Sequence, residues 1–283
     1  MLPSLIYDKI HAMSVIFDGT GHAEPIFDGL SNRVRDLKEN YEITPHLVVF
    51  MIGVPPGGEI YTQRKKAATE RIGAKFTLVQ FPESASVNEI IESINKFNQD
   101  EKAHGILVQL PLPQKLLYSK FSILNSISPD KDIDGLLENN KFAHPTSQAI
   151  LDILENSLIT TSETKILLIG SLGFVGGKTL QLIKSHDFTV TGIDREITDL
   201  TPETLKADVI ISATGTPNLI DQSMVKKDVN IIDIGYPAGD INPDVSQKAK
   251  FMTLIKNGVG PLTIAYLLDN LVNAAYNTIT THT

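Results

Sequence analysis

The chain of 283 residues contains no cysteine. That absence excludes disulfides, thiolate nucleophiles and metal sites built on sulfur. No apolar run approaches the roughly 18 residues of a membrane-crossing helix, so no membrane partner is expected. The opening Met1-Leu-Pro-Ser-Leu-Ile6 lacks the charged lead and long apolar stretch of a secretory signal, which points to a cytoplasmic protein. Nor is there an excess of basic residues: 25 Lys and Arg face 33 Asp and Glu, for a net charge of −8. A nucleic-acid partner is therefore not expected, because phosphate recognition needs a basic footprint. The seven histidines show no zinc spacing, and no Gly-x-Ser-x-Gly elbow is present.

What is present is a series of short apolar runs between helix-like stretches. They begin at His46, Phe76, Gly105, Lys165, Phe188, Asp208 and Val229. Runs of this length, rich in β-branched residues and joined by helical crossovers, predict buried parallel strands and an α/β fold. The series breaks between about Leu110 and Thr164, where Pro111-Leu-Pro113 ends a strand and Ser128 to Gly135 forms a polar turn. Helical spacing returns over Ser147–Ser157 and again over Pro261–Asn277. A length of 283 residues suits two domains, and the boundary is placed near residue 147.

Two places carry candidate chemistry. Tyr61 and Lys65 stand four residues apart where a strand gives way to a helix, so they share one helix face. They offer a flat ring beside an amine able to move protons. The second place follows the run Lys165–Ile169, where Gly170, Gly173 and Gly176 are spaced by three, with Ser171 between the first two. Glycines between a strand and a helix N-terminus suit a pyrophosphate. Asp194-Arg195 closes the next strand, 18 residues beyond Gly176. An acid there holds ribose hydroxyls and favours NAD over NADP, whereas Arg195 could instead receive a 2′-phosphate. Thr214, Gly215 and Thr216 follow a third strand, at the sheet edge where ligands bind. Residues 148–260 are thus expected to bind a dinucleotide, NAD or NADP. Asp130, Asp132 and Asp134 lie close in sequence, but the glycine and later glutamate of a calcium loop are misplaced. No metal is expected.

The ordered motifs resemble the bifunctional methylenetetrahydrofolate dehydrogenase/methenyltetrahydrofolate cyclohydrolases. They are Tyr61-x-x-x-Lys65-Lys66, Gly105-Ile-Leu-Val-Gln109-Leu-Pro-Leu-Pro113, Pro129-Asp-Lys-Asp-Ile-Asp134-Gly135, Ile232-Asp-Ile-Gly235 and Gly258-Val-Gly-Pro-Leu-Thr263-x-Ala-x-Leu-Leu-x-Asn270. The resemblance covers nearly the whole chain. It implies an N-terminal α/β catalytic domain and a Rossmann-type domain with a cleft between them. The folate domain would span 1–147, completed by the C-terminal helix at 261–283. Tyr61 would lie against the folate, Lys65 would be the base or proton relay, and Gln109 would bond that lysine. Asp134 would grip the pterin, and Gly258, Pro261 and Thr263 would border the substrate. Tetrahydrofolate derivatives, polyglutamylated forms included, would be the ligands, and a homodimer the assembly.

The departures from the family pattern are specific. Gly58 stands where a serine is usual, and His144-Pro-Thr146-Ser-Gln-Ala replaces Pro-Cys-Thr-Pro-x-Gly. In the cofactor loop Ser171, Leu172 and Lys178 replace arginine, serine and proline. Lys256-Asn257-Gly258 replaces Pro-Gly-Gly. Three readings stay open: the bifunctional enzyme, a dehydrogenase alone linked to NAD, and a folate- or nucleotide-binding protein without turnover. For hydrolysis, Lys65 needs a pKa below the ordinary lysine value of about 10.4, which burial and the flanking cations Arg64 and Lys66 are expected to provide. Arg71 and Lys75 extend that basic stretch, either as a hold on a glutamate tail or as a solvated helix face.

Overall fold

The computed structural model describes residues 14–54, 57–158, 160–194, 196–197 and 199–280. In chain order its strands are β1 (Val15–Ile16), β2 (His46–Ile52), β3 (Lys75–Phe81), β4 (Gly105–Val108), β5 (Ile166–Ile169), β6 (Val190–Ile193), β7 (Val209–Ser212), β8 (Val229–Asp233) and β9 (Ala249–Met252). The α-helices are α1 (Gly19–Tyr41), α2 (Gly58–Arg71), α3 (Val87–Gln99), α4 (Lys120–Leu124), α5 (Pro145–Asn156), α6 (Phe174–Ser185), α7 (Thr201–Thr204) and α8 (Val259–Thr280). Two compact units result. One holds the described residues up to Ala23 with Thr146–Thr263, and the other holds Glu24–Pro145 with residues from Ile264 on.

The second unit is built on a three-stranded parallel sheet in the order β3-β2-β4. Every residue of β2 and β4 is buried, which accounts for their unbroken apolar sequences. At the edge, β3 has only exposed and half-buried positions. Phe50 stacks on Phe81 and meets Phe97 edge-on, tying the sheet to α3. That helix opens with a capping box, Ser86 and Glu89 each satisfying the other's backbone N–H.

The first unit is a six-stranded parallel sheet in the order β1-β9-β8-β7-β5-β6. Its core gathers Leu167, Ile169, Ile210, Ile231, Val245 and Met252 from successive strands and connections. The chain reverses its direction of growth across the sheet between β5 and β7, the position at which open α/β sheets bind ligands. Strands β1 and β9 are the two that no apolar run announces. The first has two residues, and the second, Ala249-Lys-Phe-Met252, is interrupted by a lysine.

Candidate functional site

In the Glu24–Pro145 unit, helix α2 carries Tyr61 and Lys65 on one face, both half-buried. The helix starts at Gly57, whose φ of 74° lies in the left-handed region, and no side chain caps it. Buried Gly58 therefore brings no hydroxyl to the first turn. Lys65 Nζ donates to Gln109 Oε1 at 2.9 Å. Gln109 lies just beyond β4, and its Nε2 donates to the Leu110 carbonyl at 2.8 Å. That second bond sets the amide so that its oxygen, an acceptor only, faces the lysine. The amine end of Lys65 is enclosed, and desolvation pulls its pKa below the ordinary lysine value, opposed by the charge of Asp134. Arg64 and Lys66, expected to help, are exposed and have no part in the shift. Adjacent helix positions face different directions, so burial alone does what flanking charge was expected to do.

Asp134 reaches this unit's site through a turn that only a few residues could make. Gly135 has φ of 63°, and a Cβ there would sit 2.8 Å from the His144 nitrogen, so a side chain fits neither the backbone nor the space. Asn270 of α8, 2% exposed, donates from Nδ2 to the carbonyls of Ile133 at 2.8 Å and Ala143 at 2.9 Å. One buried amide thus pins both sides of the loop that carries Asp134. The three aspartates of the segment diverge. Asp130 pairs with Lys141, and Asp132 is fully buried and accepts from the Leu137 N–H at 2.8 Å. Asp134 alone faces Lys65. Among the described residues no group of three or more His, Asp or Glu is placed to hold a metal ion.

The glycine turn lies in the other unit, between β5 and α6. Gly170 has φ of 89° and a Cβ on it would meet the Ala213 carbonyl at 2.6 Å. Gly176 packs directly on the Gly170 carbonyl, which admits no side chain. The amides of Gly170 and Ser171 donate to the Ile193 carbonyl at 2.9 and 3.1 Å, and that of Leu172 to Asp194 Oδ2 at 3.1 Å. The turn is therefore stitched to the end of β6, with Asp194 beside it. Gly173 is the N-cap of α6 and offers no capping side chain, and the positive end of a helix attracts an anion. Leu172 is 87% exposed on this turn. Arg195 lies outside the described residues. Beyond β7, exposed Gly215 has no atom within 4 Å of an added Cβ, between half-buried Thr214 and Thr216. This glycine cradle, open helix end and neighbouring acid fit the phosphates and ribose of a dinucleotide.

Gly258, Pro261 and Thr263 belong to that same unit, at and after the start of α8. Gly258 is buried and packs against the Leu254 carbonyl, while Pro261 is half-buried. Thr263 Oγ1 donates to the Val259 carbonyl at 3.3 Å and lies 3.4 Å from Thr146 Oγ1. Thus Tyr61, Lys65, Gln109 and Asp134 fall in one unit, and the glycine turn, Asp194, Thr214–Thr216 and Gly258–Thr263 fall in the other. The basic stretch does not stay together. Arg71 donates to Glu24 Oε1 at 2.9 Å, lies 3.6 Å from Asp28 and sits 4.8 Å above the Phe27 ring. Lys75 instead lines a cavity of about 1090 Å³ at the start of the strands, with His46, Lys102, His104 and Lys131.

Sequence reasoning passed over two buried carboxylates near Thr214. Asp233 accepts from the amides of Gly235, Asp240 and Ile241 at 2.8, 3.2 and 3.2 Å. Burial pushes its pKa up to about 6, against the pull of those three bonds. Asp240 is fully buried and accepts from Ser212 and Thr214. The signal for Asp233 was Ile232-Asp-Ile-Gly235, read as a family mark and not as chemistry, and Asp240 was not singled out.

A parallel sheet with a glycine turn, an open helix end and an acid one strand away defines a dinucleotide-binding α/β protein. Residues 17–134 match the catalytic domain of tetrahydrofolate dehydrogenase/cyclohydrolase, and residues 144–279 match its NAD(P)-binding domain. The bifunctional protein FolD of Bacillus subtilis strain 168 is 34% identical over 94% of this chain and 99% of its own. The crystal structure of the bifunctional FolD methylenetetrahydrofolate dehydrogenase/cyclohydrolase from Campylobacter jejuni has a TM-score of 0.87 at 32% identity, covering 94% of this chain and 99% of that one. That of the Trypanosoma brucei enzyme, complexed with NADP and an inhibitor, also has a TM-score of 0.87, at 25% identity and with coverage of 94% and 99%. The chain belongs to the tetrahydrofolate dehydrogenase/cyclohydrolase family. It carries that family's NAD(P)-binding domain, and its cofactor is a nicotinamide dinucleotide.

Proposed function

We propose that this protein oxidises 5,10-methylenetetrahydrofolate to the 5,10-methenyl form and hydrolyses that product to 10-formyltetrahydrofolate. The observation that carries the reading is the enclosed Lys65 amine bonded to Gln109, with its pKa held below the lysine range. Of the residues that would handle the folate, Tyr61, Lys65, Gln109 and Asp134 belong to the Glu24–Pro145 unit, whereas Gly258, Pro261 and Thr263 belong, with the dinucleotide-handling residues, to the unit holding Thr146–Thr263. The cytoplasm is the compartment this chemistry suits.

In the first step the methylene carbon gives up a hydride, leaving a resonance-stabilised methenyl cation. The cofactor, when bound, supplies the hydride acceptor. No strong protein acid is needed, so the residues of this chain act by positioning. Gly170, Ser171, Gly173 and Gly176 would seat the phosphates, and Thr214, Gly215 and Thr216 would border the dinucleotide further along the sheet edge. Tyr61 and Asp134 would hold the folate by its ring face and its polar edge.

In the second step water adds to the cationic carbon. Neutral Lys65 donates one N–H to Gln109 and keeps its lone pair, which accepts the proton of the attacking water. The resulting ammonium then protonates the departing ring nitrogen as the carbon–nitrogen bond breaks. The hydroxyl proton leaves to solvent, and the carbon becomes the formyl group. A lysine of ordinary pKa would be protonated at neutral pH and unable to start this sequence.

Asp194 favours NAD: its carboxylate stands beside the glycine turn, where it would accept from ribose hydroxyls and repel a 2′-phosphate. The turn offers Ser171 in place of a phosphate-binding arginine. A glutamate tail on the folate would draw on exposed Arg64 and Lys66, since Arg71 is already taken by Glu24. A homodimer through the dinucleotide-binding unit follows from family likeness alone, and sedimentation velocity measures it. Absorbance assays with methylene- and methenyltetrahydrofolate, run with NAD and NADP in parallel, test the whole reading. Loss of neither substrate over the background rate contradicts it, and oxidation without hydrolysis reduces it to a dehydrogenase.

A further inference from the structure

Two carboxylates stand one behind the other beneath the turn that follows β7. Asp240 is fully buried and its Oδ2 accepts three hydrogen bonds: from Ser212 Oγ at 2.8 Å, the Thr214 amide at 2.7 Å and Thr214 Oγ1 at 2.9 Å. Behind it, Asp233 at the end of β8 accepts from the Asp240 amide and from Ile241, fixing the backbone that presents Asp240. Its own amide is held in turn by Thr253 Oγ1 at 2.8 Å. Three strand ends are thus linked through buried side chains to one threonine.

The bonds also fix where the Thr214 hydroxyl proton goes. Its single hydroxyl proton is spent on Asp240, and its oxygen accepts from the Thr216 amide at 3.1 Å. A hydroxyl with its proton committed is an acceptor toward anything else. Asp240 has no such alternative: the Thr214 amide can only donate, so an oxygen must face it. Next along the chain, Gly215 is exposed with open space beside it.

We propose that Asp240 is a positioning residue for the nicotinamide dinucleotide, acting through Thr214, whose hydroxyl it converts into a fixed acceptor for a ligand N–H or O–H donor. The inference rests on the dinucleotide reading of the 170–177 turn. Asp240 touches no ligand itself. It sets the angle and the polarity of the group that does, in advance of binding, so that no ordering cost falls at that moment.

The test is dissociation constants for NAD and NADP, measured by calorimetry on the full chain and on D240A, D240N, T214V, T214S and D240A/T214V. Melting temperatures report folding for each. D240A and T214V are expected to raise the dissociation constant of the preferred dinucleotide at least tenfold. The double variant should match T214V, because Asp240 acts only through that residue. T214S keeps the hydroxyl and should bind within about threefold of wild type, a rescue that general loosening of the sheet would not give. Wild-type affinity in folded D240A overturns the inference; should D240A fail to fold, D240N takes its place, expected to weaken binding because one uncharged oxygen replaces the carboxylate, and wild-type affinity there overturns the inference likewise. Wild-type affinity in T214V, or equal losses in T214V and T214S, overturns the inference while leaving the dinucleotide reading intact. Failure of wild type to bind either dinucleotide overturns both.

Discussion

Lys65 and Gln109 form a hydrogen bond of 2.9 Å between the middle of one helix and the first residue past a neighbouring strand. The bond is directional because Gln109 spends its amide nitrogen on the Leu110 carbonyl. The Lys65 amine therefore has one N–H fixed, and in its neutral form its lone pair points elsewhere.

Replacing Lys65 by methionine should cost the hydrolytic step about 10² to 10⁴ in kcat, the usual range for a lost general base. Oxidation of the methylene substrate should stay within about an order of magnitude, since it relies on positioning. Separate assays of the two steps check this.

The same substitution should raise stability at neutral pH. Lys65 has its pKa lowered in the folded state, so the unfolded chain binds the proton more readily and protons favour unfolding. Wild type should therefore gain stability as pH rises from the folded pKa toward the ordinary lysine value, and the advantage of K65M should shrink over that window. Urea denaturation at neutral pH and near pH 10 measures the difference.

Asn270→Ala removes both donors that hold the Asp134 loop and leaves two carbonyls without them. The cost should be about 2 to 3 kcal/mol, the range for stranding buried polar groups. The KM for either folate should rise, with a smaller effect on kcat. Chemical denaturation and steady-state kinetics check the two parts.

His104 should make the protein acid-sensitive. Burial, with help from His46 and Lys131 against the pull of Asp100, lowers its pKa from 6.5 to about 4. Its Nδ1 accepts from the His46 amide at 3.2 Å, so the neutral form belongs to the fold. Between pH 6.5 and 4 the unfolded state binds the extra proton, and stability should fall by on the order of 3 kcal/mol. H104N keeps an acceptor and should flatten that slope, as denaturation across the pH range would reveal.

Asp194→Ser should shift the ratio of kcat/KM from NAD toward NADP by at least tenfold, because it removes the charge that repels a 2′-phosphate. Parallel kinetics with both dinucleotides measure the shift. A wild-type preference for NADP would contradict the role given to Asp194.

Much of the fold was legible because its strands are buried on both faces. His46–Ile52 is a histidine followed by six apolar residues, its ring hydrogen-bonded to Thr77 and the Lys102 carbonyl, and β2 spans that run in full. Strands β1 and β9 were not legible. Two residues and a lysine-broken four carry no period, and their pairing depends on partners far along the chain. At the site, Tyr61 and Lys65 could be paired by helical spacing, and the glycine turn by its place after a strand. The Lys65–Gln109 bond crosses 44 positions and needed family likeness to be anticipated. Nothing in the spacing distinguishes Asp132, buried on a backbone amide, from Asp134, which faces Lys65. Burial was anticipated as a cause of the Lys65 shift, but that Arg64 and Lys66 add nothing to it was out of reach, because which charges reach the amine is a property of packing and not of neighbouring letters.

The most direct measurement is the pH dependence of methenyltetrahydrofolate hydrolysis by wild type and by Q109L. If Lys65 is the base, wild-type kcat rises with pH to a plateau, with an inflection below the ordinary lysine value of about 10.4. In Q109L, which takes away the acceptor fixing the amine, kcat should fall by about 10² and the inflection should move. A wild-type profile with no inflection below about pH 10.4, or a Q109L profile equal to it in height and position, would contradict the assignment.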